Sequence, residues 1–297
     1  MITRDKVYSS NVRQFENILQ DHFESEYACT ISNVSSGILG TFFALGLTHS
    51  EIITTPFTWP GALTALMMLN NSIIFADIEE PTLTLNPETL HQYITPKTKA
   101  VFSADFFGFP CRLDKIREVC DANDIFLIHD AAGSICSQYK NKFSGYFSHI
   151  SLFSFGRNKP FSTGEGGCLI TENKELFNQI GNFIFHPERL DIQLSNANTY
   201  FFNTSMNPLA IEYGLKTFDS QMADIENKRK TLQTILGKTY LMDIYSKEIN
   251  PNLHRLFLPF KKYKKLNLIW YSLPSNMILV KNDKYDLLLS KYKMARL

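Results

Sequence analysis

SLFSFGRNKPFSTGEGGCLIT, residues 151–171, places two apolar runs on either side of a polar, glycine-rich break. Ile150 to Phe155 is β-branched and aromatic and predicts a buried strand. A Gly-Arg-Asn-Lys break follows, then Thr163-Gly-Glu-Gly-Gly167, and a second apolar run opens at Cys168. Lys159 is therefore held in a tight loop between two core strands. A long hydrated side chain ordinarily belongs on a solvated face. Near aromatic residues a lysine can lose its proton and act as an amine nucleophile. A loop lysine in this setting is either such a nucleophile or a paired structural residue, and the stretch alone leaves both open.

Upstream, short apolar runs alternate with helical patterns. Residues up to about Glu26 form a polar helix with Val12, Phe15, Ile18 and Leu19 on one side. Ala28 to Gly37 predicts a short strand and then a Ser/Gly turn at Ser35-Ser36-Gly37, with an apolar helix from Ile38 onward. Hydroxyls and free N–H groups at that turn make either an anion site or a plain helix cap. Glu51–Thr55 is a strand. Pro56-Phe-Thr-Trp-Pro60 turns into a helix from Gly61, so Thr58 and Trp59 sit where a strand hands over to a helix, the place where ligands collect in open α/β sheets. Trp59 is either a stacking platform or core. Strands follow at Ser72–Asp77 and Lys99–Ser103. Asn86-Pro87 caps a short helix, and Leu113–Asn123 is amphipathic. Asp124–Asp130 is a strand ending in an acid, which either holds a cationic ligand atom or caps the turn. This spacing argues an α/β fold: a largely parallel sheet covered by helices on both faces.

From Lys174 the pattern turns helical. Asn207 and Pro208 open a long helix reaching toward Leu236. Asn267–Leu273 and Ser275–Val280 predict strands and Asp283–Met294 a last helix. The reading divides the chain into a large domain, 1–240, and a reduced α+β domain, 241–297.

The bulk numbers narrow the function. The chain has 297 residues, net charge +1, and a pI near 7.6. No long basic run marks a nucleic-acid partner; Lys261, Lys262, Lys264 and Lys265 form the only local excess, read as a solvated loop ahead of a phosphate or membrane patch. The five cysteines, Cys29, Cys111, Cys120, Cys136 and Cys168, show no zinc spacing and read as buried thiols in a reducing compartment, so no metal is expected. Met1-Ile-Thr-Arg-Asp is no signal peptide and no apolar run spans a bilayer. The expectation is a soluble, cytoplasmic protein with no membrane partner.

From roughly Ala28 to Val280 the chain resembles the DegT/DnrJ/EryC1/StrS family of pyridoxal-phosphate enzymes. Ser154-Phe155 to Gly167 is similar to the family's SF-x-x-x-K-x-x-x-TGEGG pattern. Phe126-Leu-Ile-His-Asp130-Ala131-Ala132 is similar to its strand ending in DAA. Ser36-Gly37, Thr58-Trp59, Gly108-Phe-Pro110, and Asn203 with Met206 match more weakly. The resemblance implies the fold of pyridoxal-phosphate transferases and a homodimer with its active site at the interface. It implies that Lys159 links to the cofactor and moves protons, that Asp130 pairs with the pyridine nitrogen, and that Trp59 stacks on the ring. Ser36, the Gly37 and Ile38 amides, and Ser154 would hold the phosphate, with Asn203 reaching it across the dimer. The implied activity is transfer of an amino group from an amino acid, usually glutamate, to a nucleotide-linked keto-sugar in amino-sugar or surface-polysaccharide biosynthesis.

The sequence departs from the family at four places. Ile38 stands where a phosphate-binding hydroxyl is usual, Gly133 replaces the glutamine after DAA, and Ser205 replaces an arginine. The chain also stops at Leu297, where relatives continue. Two other readings therefore stand beside the first: a non-catalytic relative serving as an interaction module, and a different pyridoxal-phosphate reaction. Deoxygenating relatives carry histidine at the lysine position, so Lys159 speaks against that version of the latter.

Overall fold

The computed structural model describes residues 4–80, 82–184, 202–244, 248–253, 256–259, 269–271 and 292–296. In chain order the first half comprises α1 (Arg4–Phe23), β1 (Tyr27–Ile31), α2 (Val34–Ala44), β2 (Glu51–Thr54), α3 (Pro60–Met68), β3 (Ser72–Phe75), α4 (Pro87–Leu90), β4 (Thr98–Ala104), α5 (Leu113–Asp121) and β5 (Phe126–Asp130). A small hairpin, β6 (Gln138–Tyr139) and β7 (Lys142–Phe143), precedes β8 (Ile150–Ser154) and β9 (Gly167–Thr171). Then come α6 (Lys174–Ile184), α7 (Pro208–Ile244), β10 (Ile249–Asn250), β11 (Leu256–Pro259), β12 (Ile269–Tyr271) and β13 (Tyr292–Arg296).

Seven strands form the central sheet in the order β1-β9-β8-β5-β4-β2-β3. The contiguous set β3, β2, β4, β5 and β8 is parallel, and β9 runs against both β8 and β1. This is the mostly parallel, helix-covered sheet that the strand–helix alternation predicts. Neighbouring residues on one strand face opposite layers. Phe102 and Ile128 enter the core under α2 and α3, with Ile38, Phe42 and Leu66. Val101 and Leu127 enter the core under α5, with Leu113, Ile116 and Cys120. Each such side chain, fully buried, contributes roughly 1.5–3 kcal/mol. A third cluster joins α1 and α7 to the far end of the sheet through Phe15, Phe155, Phe161 and Phe218.

Helix α2 begins a turn earlier than the sequence suggests. Asn33 is its cap, accepting from Ser36 N–H at 2.9 Å, so Ser35, Ser36 and Gly37 lie inside the helix and not in a turn before it. The reason lies in packing. A Cβ on Gly37 would stand 2.4 Å from Ile31 Cδ1 and 2.8 Å from Leu152 Cδ2; only glycine lets the helix lie this close to the sheet. The Asn86 and Asn207 caps form as read, accepting from Glu88 N–H at 3.0 Å and Leu209 N–H at 2.9 Å.

The long helix α7 continues to Ile244, through the 240/241 division. Its return segment joins the large domain, because β10 pairs with β6. Strands β11, β13 and β12 form a separate antiparallel sheet. Ile269–Tyr271 falls in the strand expected at Asn267–Leu273. Tyr292–Met294, expected at the end of a helix, is strand instead; it pairs with β11 and β12, partners that local periodicity does not reveal. The other expectations between 275 and 291, and the lysine cluster at 261–265, lie outside the described residues.

Candidate active site

The loop between β8 and β9 is anchored at both ends. Phe155 and Phe161 are fully buried and meet edge to face, ring centroids 4.9 Å apart. Phe155 N–H donates to Gly166 O and Thr163 N–H to Phe155 O, both at 2.9 Å. Gln221 of α7 accepts from Ser162 N–H at 2.9 Å and donates to Ser162 O at 3.0 Å. Gly166 has φ +122°, and a Cβ there would lie 2.6 Å from Met206 Cε; both demands select glycine. Lys159, half-buried, thus projects from a fixed turn in which its own N–H donates to Gly156 O at 2.9 Å.

A small cavity, about 80 Å³, opens beside this lysine. Its lining brings together Lys159, Asp130 and Trp59, three residues singled out in the sequence, with Thr58, Asn158 and Gly133. Trp59 is 57% exposed, so it is a wall and not core. The indole folds back over Gly61, where a Cβ would lie 2.9 Å from Trp59 Nε1. The same position is 3.5 Å from Ser35 Oγ, which brings the start of α2 next to the Trp59 wall.

Asp130 ends β5 and is buried. Its Oδ1 accepts from Ala132 N–H at 2.9 Å. Burial pushes its carboxyl above the ordinary range, and the Lys159 ammonium and the Ala132 amide offset this only in part. A buried acid facing a cavity favours a cationic ligand atom. Thr58 Oγ1 is buried in the same wall and has no hydrogen-bond partner, which is the condition of a group awaiting a polar ligand.

Asp105, Phe106 and Phe107 also line the cavity and were not among the candidates. Asp105 follows β4 directly, an acid at the carboxyl end of a parallel strand; the same signal that marks Asp130 could have found it. Its Oδ1 accepts from Cys111 N–H at 2.8 Å and lies 3.2 Å from His129 Nε2, while Ser144 Oγ donates to Oδ2. Burial alone raises the Asp105 carboxyl, but His129 and the hydroxyl donors overcome it and hold it below the usual range. His129 Nδ1 bonds Ser103 Oγ at 2.8 Å. Asp105, Cys111 and His129 are the one group among the described residues with a metal-like arrangement. Protein donors already engage both Asp105 oxygens, and the Cys111 thiol donates to Ala104 O with its pKa pushed up by burial, then by Asp105.

The other candidates lie outside the cavity lining. Ser154, at the end of β8, accepts from Gly156 N–H at 3.3 Å. Ser36 Oγ donates to Asn33 O and pairs with Ser32 Oγ, both at 2.9 Å. The Gly37 N–H donates to Asn33 O at 3.1 Å, and Ile38 is fully buried in the core one residue further into the helix. Their amides belong to the helix ladder, which corrects the expectation that they point at a ligand. The helix leaves the Val34 and Ser35 N–H groups without intrahelical acceptors. Asn203 is exposed, with φ +48°, beside Thr204, whose carbonyl accepts from Ser32 N–H at 2.6 Å.

The open, mostly parallel sheet covered by helices, with a strand-end acid, a loop lysine and an aromatic wall around one cavity, has the pyridoxal-phosphate-transferase fold. The chain belongs to the DegT/DnrJ/EryC1/StrS aminotransferase family, whose profile matches residues 6–258. It is 30% identical over 240 residues to the GDP-perosamine synthase of Escherichia coli O157:H7, covering 80% of this chain and 63% of that one. It is 31% identical over 237 residues to the spore coat polysaccharide biosynthesis protein SpsC of Bacillus subtilis, covering 76% and 60%. The matched part thus spans about six-tenths of these curated relatives. Among solved structures, an aminotransferase from Psychrobacter cryohalolentis superposes with a TM-score of 0.80 at 19% identity, over 100% of this chain and 92% of that one.

Proposed function

We propose that this protein is a pyridoxal-phosphate-dependent aminotransferase that moves an amino group from an amino acid, glutamate first, to a keto-sugar carried on a nucleotide, in amino-sugar or surface-polysaccharide biosynthesis. One observation carries the reading: Trp59, Asp130 and Lys159, far apart in the chain, line a single cavity. Family membership and the names of the two curated relatives support the substrate class.

The residues fit the cofactor. Asp130 faces the cavity as a buried acid that a pyridinium nitrogen would neutralise, and Thr58 Oγ1 has an unmet hydrogen bond there. Pyridoxal phosphate, when bound, supplies an electron sink for breaking bonds at the amino-bearing carbon. Asp130 would keep the ring nitrogen protonated, since a buried carboxylate strongly favours a cationic neighbour. Trp59 would cover one ring face. Lys159 would hold the cofactor through its amine and, once displaced by an amino substrate, carry a proton to and from the reacting carbon. The phosphate would lie at the start of α2, held by the Ser35 and Ser36 hydroxyls, the free Val34 and Ser35 amides, and Ser154. Phe106, Phe107 and Trp59 would exclude water from the reacting atoms.

Exposed apolar side chains support a homodimer: Met67 and Met68 on α3, Phe202, and Leu209 and Tyr213 on α7. Phe202 adjoins Asn203, so this face would bring Asn203 to the partner's phosphate. The cytoplasmic reading rests on five thiols, four of them buried; among the described residues no helix is long and apolar enough to cross a membrane. The division into a cofactor domain and a smaller C-terminal domain belongs to the same proposal, with the return segment through Asn252 on the side of the cofactor domain. Lys159 favours transamination over a sugar deoxygenation.

The test is the visible spectrum of the purified protein with added pyridoxal phosphate, before and after glutamate. A protein-bound cofactor band that glutamate converts to the pyridoxamine form supports the reading. A band indifferent to every amino donor, or no band at all, overturns it.

A further inference from the structure

We infer that Asn252, in the segment that returns from α7, is a positioning residue for two walls of the cofactor cavity; this rests on the function proposed above. Asn252 is only 2% exposed. Its Nδ2 donates to Gly133 O and to Ile135 O, both at 2.8 Å. Two carbonyls at one end of the amide fix its orientation, since only the nitrogen can donate to them. Its backbone N–H donates to Ser137 Oγ at 2.9 Å, and that hydroxyl donates to Gly108 O at 2.7 Å. On the other side, a Cβ on Gly108 would lie 2.4 Å from Asn252 Oδ1.

The two turns joined here both face the cavity. Ala132 and Gly133 line it from the turn after β5, and Phe106 and Phe107 from the turn before Gly108. Asn252 stands 119 residues from Gly133 in the chain, and its segment is itself tied down. Lys140 N–H donates to Glu248 O at 2.7 Å, and Asn250 Nδ2 donates to Gln138 Oε1 at 3.1 Å. Through Asn252 the returning segment holds backbone of two turns that line the cavity. Without it, the Gly133 and Ile135 carbonyls lose a buried donor and the two turns lose their link.

The experiment compares wild type, Asn252→Ala, Asn252→Asp, Ser137→Ala and Ile116→Ala. Asn252→Asp keeps the shape but sets an oxygen against the two carbonyls. Ile116→Ala, in the α5 core, destabilises the fold at a residue that neither lines the cavity nor takes part in the Asn252 and Ser137 hydrogen bonds. Two quantities are read: pyridoxal-phosphate affinity by visible absorption, and amide hydrogen exchange over 106–111 and 131–137 without added cofactor. The expected result is about a tenfold or larger rise in Kd for both Asn252 variants, with faster exchange in both segments and a smaller change of the same kind in Ser137→Ala. Ile116→Ala, at a matched loss of Tm, should show neither. Unchanged affinity in the Asn252 variants, or equal weakening in Ile116→Ala, overturns the inference. Should Asn252→Ala not fold, Asn252→Asp and Ser137→Ala decide by the same two readouts. A wild type that binds no cofactor overturns the proposed function instead, and exchange alone then judges Asn252: acceleration confined to the two turns sustains the link, and its absence ends it.

Discussion

Asp130 and Lys159 face the same cavity from different layers of the chain, the acid from the end of β5 and the amine from the loop between β8 and β9. The ammonium draws down the carboxyl's pKa, and burial more than opposes it. Each group makes the other's charge less costly, and a bound cation at Asp130 would take over part of that role. β5 and β8 are adjacent and parallel in the sheet, with Asp130 opposite Leu152, so the pairing of two strands sets this encounter.

Lys159→Ala removes the only amine lining the cavity, among the described residues. The cofactor band should vanish and transamination should fall by at least ~10³-fold, the scale of lost proton transfer. Circular dichroism and Tm should stay near wild type, because the loop is held by Phe155, Phe161 and Gln221. Turnover near wild type would remove Lys159 from the chemistry.

Asp130→Asn separates stability from activity. The folded carboxyl is raised, so from the ordinary 3.8 upward the folded state holds a proton that the unfolded state has lost. Stability therefore falls as pH rises through that window, and the cost persists above it. Asn keeps an acceptor for Ala132 N–H without the charge. The variant without cofactor should melt no lower than wild type at pH 7, while activity drops by ~10²-fold. A lower Tm with full activity would make Asp130 only a turn cap.

Gly37→Ala should destabilise by about 1–3 kcal/mol, the usual cost of overpacking, because the new methyl meets Ile31 and Leu152. Chemical denaturation reads this directly. A neutral result would mean that α2 can lift from the sheet without loss.

His149 gives an acid limb to stability. Its pKa is lowered from 6.5 to about 4, first by burial and then by Arg117. Its Nδ1 accepts from Leu127 N–H at 2.8 Å, a bond that protonation would break. The unfolded chain takes up the proton at 6.5, so stability falls as pH drops from 6.5 toward 4 and then levels. The full loss is on the order of 3 kcal/mol. His149→Asn should flatten this limb in urea titrations at stepped pH; an unchanged slope would assign it to other groups.

Element order was legible because periodicity and caps are local. Asn86-Pro87 and Asn207-Pro208 announce their helices, and the apolar runs at β4, β5 and β8 announce buried strands. The hairpin β6–β7 was not legible. Its strands are two residues each, and its turn, Lys140-Asn141, takes positive φ at both positions without the usual glycine. The start of α2 was misplaced because Ser-Ser-Gly looks like a turn until Ile31 and Leu152 crowd Gly37. The strand-end position of Asp105 was legible in the same way as that of Asp130; its pairing with His129, 24 residues away, was not.

The strand–helix alternation, the loop that presents Lys159, the strand-end acid Asp130 and the family resemblance are each written in adjacent residues. That Trp59, Asp105, Phe107, Asp130 and Lys159 share one cavity, that the Gly37 amide belongs to its helix, and that Asn252 reaches the turn beside Gly133 come from the packed fold. Those facts depend on which strands pair and how closely a helix can approach a sheet. Both follow from packing between distant segments, which no local pattern encodes.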